Sequence, residues 1–207
     1  MTNIYKLHPW HGVEIGNEAP ELVTAFIEII PSDTVKYEID KHSGYLKVDR
    51  PQKFSNIVPA LYGFIPRTYC KEELAKVNMK YTGRTDIEGD GDPLDILVLT
   101  EREITHGDII VKAFPIGGFR LVDNNEADDK IIAVSVHDSS VNDYSSHTQL
   151  PAHVGREIKR FFQDYKVLEN KMVEVEDILG PEEALVVIRE SLDLYRKLRR
   201  GEVTKYK

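Results

Sequence analysis

Residues 90–97 read DGDPLDIL, three carboxylates within six residues running directly into an apolar segment. Gly91 permits a tight bend, and Pro93 prevents regular ladder pairing at that point. Asp90, Asp92 and Asp95 can then converge at the mouth of the strand that follows. Carboxylates held so close repel one another unless a cation lies between them or one is protonated. Hard divalent metals take such oxygen ligands. A solvated acidic turn is the plainer alternative, but a strand end is a fixed platform and the attached apolar strand counts against it. A calcium loop of the EF-hand type fails. Asp86, Glu88, Asp90 and Gly91 match its positions 1, 3, 5 and 6, yet Leu97 stands at the twelfth, where a bidentate Glu is required.

Around this segment the texture is β. TAFIEII (24–30), VKYEID (35–40) and YLKVD (45–49) are short, rich in β-branched and aromatic residues, and separated by Pro31-Ser32-Asp33 and His42-Ser43-Gly44. NIVPALYGFI (56–65), LDILVLT (94–100), DIIVKAFPI (108–116), GFRLVD (118–123) and KIIAVSV (130–136) continue the series. Many short strands at close spacing predict a barrel or sandwich. Two helices follow. Val154, Ile158, Phe162, Tyr165 and Leu168 form one stripe over 153–168. Leu185, Ile188, Leu192, Tyr195 and Leu198 form another over 181–200, with Pro181 and two glutamates at its start. Arg196, Lys197, Arg199 and Arg200 fill its last turn, and Gly201 stops it. Residues 1–20 read as an irregular arm, and 70–88 as a polar insertion holding one short helical candidate, KEELAKV. The expected fold is a single α+β domain over 1–207, a β-barrel core with helices packed against it.

Composition removes several classes. Lys plus Arg number 27 and Asp plus Glu 35, a net charge of −8, which argues against a bulk nucleic-acid binder. Cys70 is the single cysteine, so neither an internal disulfide framework nor a CxxC zinc site is available. The longest apolar runs are under ten residues, short of the ~20 a spanning helix needs. No basic-then-apolar leader pattern opens the chain, so the expected location is the cytoplasm, with no membrane partner.

A second acidic cluster, DNNEADDK (123–130), stands between two strand candidates. It is either an exposed hairpin loop or a source of further metal ligands from a neighbouring strand. Along VKYEID, Lys36 and Glu38 point to one face. Arg50 follows YLKVD, and Tyr165-Lys166 lies on the first C-terminal helix. Singly, each reads as a surface charge. Together they would place cations around a metal-rich acidic pocket, which is what phosphoryl transfer to water needs. Nucleophile and nucleotide signatures are missing: there is no GxSxG, HExxH or GxxxxGK[ST], and GDGDPL lacks the third glycine of GxGxxG.

Taken together, DGDPLDIL, IEIIPSDTVKYEIDKHSGYLKVDR (27–50), PALYGFI (59–65), DNNEADDK and FFQDYKVLE (161–169) resemble, in order, the family I soluble inorganic pyrophosphatases of bacterial type. The resemblance spans about residues 24–170. It implies an OB-like five-stranded β-barrel with flanking C-terminal helices, hydrolysing inorganic pyrophosphate to two orthophosphates without a covalent intermediate. Asp90, Asp95 and Asp128 would hold activating metals and Asp123 a metal arriving with substrate. Glu38 would hold a further ion and Glu28 would order metal-bound waters. Asp92 would be the general base, with Tyr62 beside it in the catalytic set. Lys36, Arg50, Tyr62, Lys130, Tyr165 and Lys166 would grip the substrate. The cofactor implied is Mg²⁺, several ions per site, with Mn²⁺ or Zn²⁺ as substitutes; a homo-oligomer, a hexamer in bacterial members, is implied too. The sequence departs from the family at Val58, where many members have tyrosine, and at Asn124, where a Glu often follows the Asp. It is also longer over 70–88. Two rival readings are an OB-like module binding nucleic acid or calcium without catalysis, and a hydrolase of other phosphate esters.

Overall fold

The computed structural model describes residues 6–52, 56–71, 75–76, 79–80, 83–123, 125–166 and 173–203. Asn124, most of KEELAKV and the end of FFQDYKVLE lie outside them. The strands are β1 (Val23–Ile29), β2 (Val35–Ile39), β3 (Leu46–Pro51), β4 (Leu61–Phe64), β5 (Glu88–Gly89), β6 (Asp95–Leu99), β7 (Ile109–Asp123), β8 (Glu126–Ala127), β9 (Lys130–Ser135) and β10 (Val173–Leu179). Helix α1 spans Ala152–Asp164 and α2 spans Pro181–Arg200.

Strands β1, β4, β6, β9 and β7 hydrogen-bond in that order, and β7 returns to pair with β1, so the five close into a ring. Closure removes exposed edges, which suits a core of such short strands. The period-two alternation sorts side chains into two apolar clusters. Ile96, Val98, Ile131 and Ala133 face one, with Trp10 and the buried face of α2. Leu97, Leu99, Ile132 and Val134 face the other, under Ile158 and Phe162 of α1. Each fully buried large side chain of this kind contributes about 1.5–3 kcal/mol. Gly63 lets β1 and β4 approach: a Cβ there would sit 1.8 Å from the Phe26 carbonyl oxygen.

Two expectations are corrected, and one strand is new. DIIVKAFPI and GFRLVD are one bent strand, β7, which shifts register between Pro115 and Gly117 in its pairing with β9 and so serves several neighbours along its length. NIVPALYGFI contributes strand only from Leu61, because Pro59 lacks the N–H a ladder needs. Strand β10, antiparallel to β7, was not foreseen. Its alternation of valines and glutamates at 173–176 is a strand signal, overshadowed by the helices on either side. The α2 boundaries follow their punctuation: Gly180 N–H donates to Glu183 at 3.0 Å, and Gly201 adopts φ 73° at the C-cap.

Candidate active site

The 90–95 loop is fixed by the segment before it. Gly91 has φ 80°, a left-handed conformation that suits glycine. Gly91 N–H donates to the Cys70 carbonyl and Cys70 N–H to the Asp92 carbonyl, each at 2.8 Å. Asp92 N–H donates to the Asp90 carboxylate at 2.9 Å, and Leu94 N–H to the Thr68 hydroxyl at 2.8 Å. Strand β6 then starts at Asp95, beside Lys130 in the parallel β6–β9 pair. The second acidic cluster arrives at the same place through β7 and β8, whose tight hairpin sets Asp123 opposite Glu126.

The result is a polar pocket of about 180 Å³. Asp90, Asp92 and Asp95 of the first acidic segment and Asp123, Glu126 and Asp128 of the second line it, with Lys36, Lys130, Lys166, Tyr62 and Tyr165 among them. Lys130, essentially buried, bridges Asp95 and Asp128. The Tyr62 hydroxyl donates to Asp95 at 2.5 Å, Lys166 pairs with Asp123, and Lys41 pairs with Asp92. Glu28 and Glu38 line an adjoining cleft of about 110 Å³ that shares Lys36, Tyr62, Asp92 and Asp95. Arg50 lies one step further out, in a narrow slot with Lys36, Tyr62 and Tyr165, and is paired with Asp49 at 2.5 Å. The residues expected from the sequence are thus brought to one region, with Arg50, Glu28 and Glu38 in side compartments.

Two partners went unforeseen. Lys41 follows VKYEID directly, and that adjacency was its only signal. Asp49 accepts from Lys36 at 2.9 Å as well as from Arg50; the β2–β3 register, which sets Lys36 opposite Arg50, brings the three together.

Electrostatics separate the carboxylates. Burial, then the charges of Asp92 and Asp128, push Asp90 well above the carboxylate range. Burial also raises Asp92, against the pull of Lys41. Burial would raise Asp128 too, but Lys130 and Lys166 outweigh it and hold Asp128 low. Tyr165 is pushed up to about 12 by burial and then by Asp128. Six carboxylates against three lysines leave the pocket lining three negative charges in excess when all are ionised. Among the described residues no three ligand-type side chains close around one point; Lys130 lies between Asp95 and Asp128, and Lys166 pairs with Asp123. Excess hard oxygen donors, three more than the lysines beside them, fit divalent ions of the Mg²⁺ class.

Glu28 offers a direct check. It is buried, accepts from Ile39 N–H at 2.7 Å, and has its pKa raised to about 8 by burial and then by Asp95. A raised folded-state pKa means the native protein keeps a proton that the unfolded chain releases sooner. Wild-type stability is therefore full below about pH 4.5 and declines as pH climbs toward 8. The neutral isostere Glu28→Gln escapes that decline. In EDTA its stability relative to wild type is expected to rise between pH 5 and 8 by a few kcal/mol, on the order of 1.4 per pKa unit. Urea unfolding at the two pH values measures it, and a pH-independent difference would refute the buried protonated carboxyl.

The sequence matches the family described as inorganic pyrophosphatase over residues 25–196. An inorganic pyrophosphatase of Chlamydia trachomatis is 44% identical over 189 residues, covering 88% of this chain and 90% of that protein. A soluble inorganic pyrophosphatase of Solanum tuberosum is 44% identical over 188 residues, covering 91% and 80%. Among solved structures, inorganic pyrophosphatase from Thermus thermophilus superposes with a TM-score of 0.77 at 29% identity, covering 92% of this chain and 99% of that one. A family match across most of the chain, on a closed five-stranded ring that gathers both acidic segments into one pocket, shows that the chain belongs to the inorganic pyrophosphatase family.

Proposed function

We infer that this chain hydrolyses inorganic pyrophosphate to two orthophosphates, with water attacking one phosphorus and the bridging oxygen leaving with the other. The observation that carries the reading is the joint lining of one pocket by Asp90, Asp92, Asp95, Asp123 and Asp128 together with Lys36, Lys130 and Lys166. Carboxylates alone would repel a diphosphate, and lysines alone would bind it without activating water. In this reading Asp90, Asp95, Asp128 and Asp123 hold the metal ions on which the family depends, with Glu38 holding a further one and Glu28 beside it. Mg²⁺ is the proposed ion, with Mn²⁺ or Zn²⁺ as substitutes. When bound, such ions neutralise phosphate oxygens and acidify water.

The protein's own groups do the rest. Asp92 takes the proton from the attacking water. Lys36, Lys130, Lys166 and Arg50 hold the phosphate oxygens, and the hydroxyls of Tyr62 and Tyr165 donate to them. Burial keeps both phenols protonated and so able to donate. No step needs a covalent intermediate. The nucleic-acid reading loses on charge, since a carboxylate-lined groove repels a phosphate backbone. We assign the chain to the cytoplasm and to a homo-oligomer, a hexamer by family resemblance; no described helix is long and apolar enough to cross a membrane.

Phosphate release from pyrophosphate is expected with Mg²⁺, to vanish in EDTA and to return when Mg²⁺ is restored. ATP and p-nitrophenyl phosphate should release at least about a hundredfold less under the same conditions, a discrimination within reach of a fitted site. Faster release from either ester would favour a general phosphoesterase instead.

A further inference from the structure

The second acidic segment reaches the pocket on a hairpin of continuous register. Val122 and Asp123 of β7 pair with Ala127 and Glu126, and Gly118 and Phe119 pair with Ile131 and Lys130. Between these pairs the Asp128 N–H donates to the Leu121 carbonyl at 3.0 Å, so Arg120 falls opposite Asp129. Side chains alternate across such a ladder. Asp123, Glu126, Asp128 and Lys130 line the pocket. Val122 and Ala127 turn the other way, against Ala75 and Ile87 of the 70–88 segment, and Ile131 enters the core beneath α2. Arg120 and Asp129 share that rear face. Their side chains are 1% and 5% exposed, with Arg120 Nε 4.0 Å from Asp129 Oδ2.

A buried ion pair is weak support for stability, and its best-attested use is to specify a register. This hairpin needs such a device. Asp128 and Asp129 are identical neighbours, so a slip of one residue would exchange them and turn every following side chain to the other face. The apolar pattern does little to forbid it. Strand β9 is buried along its whole length, and Ile131, Ile132, Ala133 and Val134 already divide between two apolar clusters. Lys130 does distinguish the faces, but one of its two partners, Asp95, belongs to β6. The Arg120–Asp129 pair lies wholly within the hairpin.

We propose that Arg120 is a positioning residue for the active site. By holding Asp129 behind the sheet it keeps Asp123, Asp128 and Lys130 aimed into the pocket, although Arg120 lines no part of that pocket itself. The inference rests on the reading of Asp123 and Asp128 as metal ligands, and one arm of its test needs no metal.

Calorimetric titration of the full chain with Mg²⁺, at a temperature where circular dichroism shows each variant folded, separates three roles by sign. Arg120→Met is expected to weaken Mg²⁺ binding about 10–100-fold, the range found when groups that orient metal ligands are removed. A guanidinium acting only through its charge would do the opposite, since its loss makes the acidic pocket more negative and tightens Mg²⁺. A pair that only stabilised the fold would leave the folded variant binding like wild type. Either result would overturn the proposal. Arg120→Met/Asp129→Leu makes the rear pair apolar at unchanged net charge. Its affinity should return to within about threefold of wild type, since apolar residues often replace a buried ion pair without loss. An affinity as low as that of Arg120→Met would count against the pair. Asp129→Asn, an isostere, serves where Arg120→Met does not fold, and it is read in EDTA. Its backbone amides over 126–131 should exchange hydrogen at least about tenfold faster than in wild type while those of β6 keep their rates, as local opening of one unit allows. Unchanged exchange over 126–131 would overturn the proposal. A wild-type chain that bound no Mg²⁺ would remove the metal reading, and the exchange result would then decide for or against Arg120 by itself.

Discussion

Asp92→Asn is expected to lower the turnover of pyrophosphate by about 10²–10⁴ at saturating Mg²⁺, the range that a positioned general base supplies. The structure separates Asp92 from the other carboxylates of its loop. The Asp90 carboxylate accepts from the Asp92 N–H, and Asp95 is committed to Tyr62 and Lys130. The Asp92 side chain remains 42% exposed, and its partner is Lys41, on the turn after β2. Its backbone is pinned by Cys70, so the carboxylate is presented from a fixed strut. Burial raises its pKa, moving a weak base toward the working pH, where proton transfer is most effective. Asparagine keeps the volume and can still accept a hydrogen bond, but it cannot take up a proton. Metal affinity by calorimetry should change little, because the other carboxylates remain. Turnover within about threefold of wild type would remove Asp92 as the base.

The fold was legible where one local pattern decides the outcome. Strands β1, β2, β3, β6 and β9 fall where alternation and turn residues put them. Helix α2 starts at Pro181 and stops before Gly201 because both ends carry their own chemistry. Apart from the strand shortened at Pro59, what failed was non-local. Nothing near Pro115 says that the chain on either side belongs to one bent strand; that is settled by pairing with β1, β9 and β10. Within α2 the buried face includes Ala184, Val187 and Leu194, while Leu185, placed in the stripe, is only partly covered. Which face turns inward is fixed by the neighbours as well as by the period.

The site was legible for a different reason. Asp90, Asp92 and Asp95 are close in sequence, so one glycine bend brings them together. That Asp123 and Asp128 meet them follows from the parallel pairing of β6 with β9, and no sequence spacing encodes that pairing. The family resemblance supplied that step. It could not supply Lys41, whose role rests on a long side chain crossing from a neighbouring loop to Asp92.

Lys130→Met should unfold more easily in EDTA by about 3–5 kcal/mol, the usual cost of removing one partner from a buried ionic contact. The Lys130 side chain is 2% exposed and lies between Asp95 and Asp128, themselves 24% and 13% exposed. Both carboxylates hold Lys130 protonated despite its burial. Methionine approximates the stem's shape, so packing changes little and the loss is electrostatic. Without the ammonium, two carboxylates face each other beside Asp90, which is already pushed toward protonation. For a chain of this size each kcal/mol corresponds to about 2–4 °C, so the melting temperature in EDTA should fall by roughly 10 °C. Mg²⁺ supplies the missing positive charge to the same oxygens. The Mg²⁺-induced rise in melting temperature should therefore be larger in the variant than in wild type, as linkage requires for an ion that binds only the folded state. If Lys130 only grips substrate, the EDTA melting temperature will match wild type and the defect will sit in KM alone. Adding Asp128→Asn to Lys130→Met removes one of the stranded charges. The double variant should recover part of the lost stability, a coupling that independent contributions would not produce.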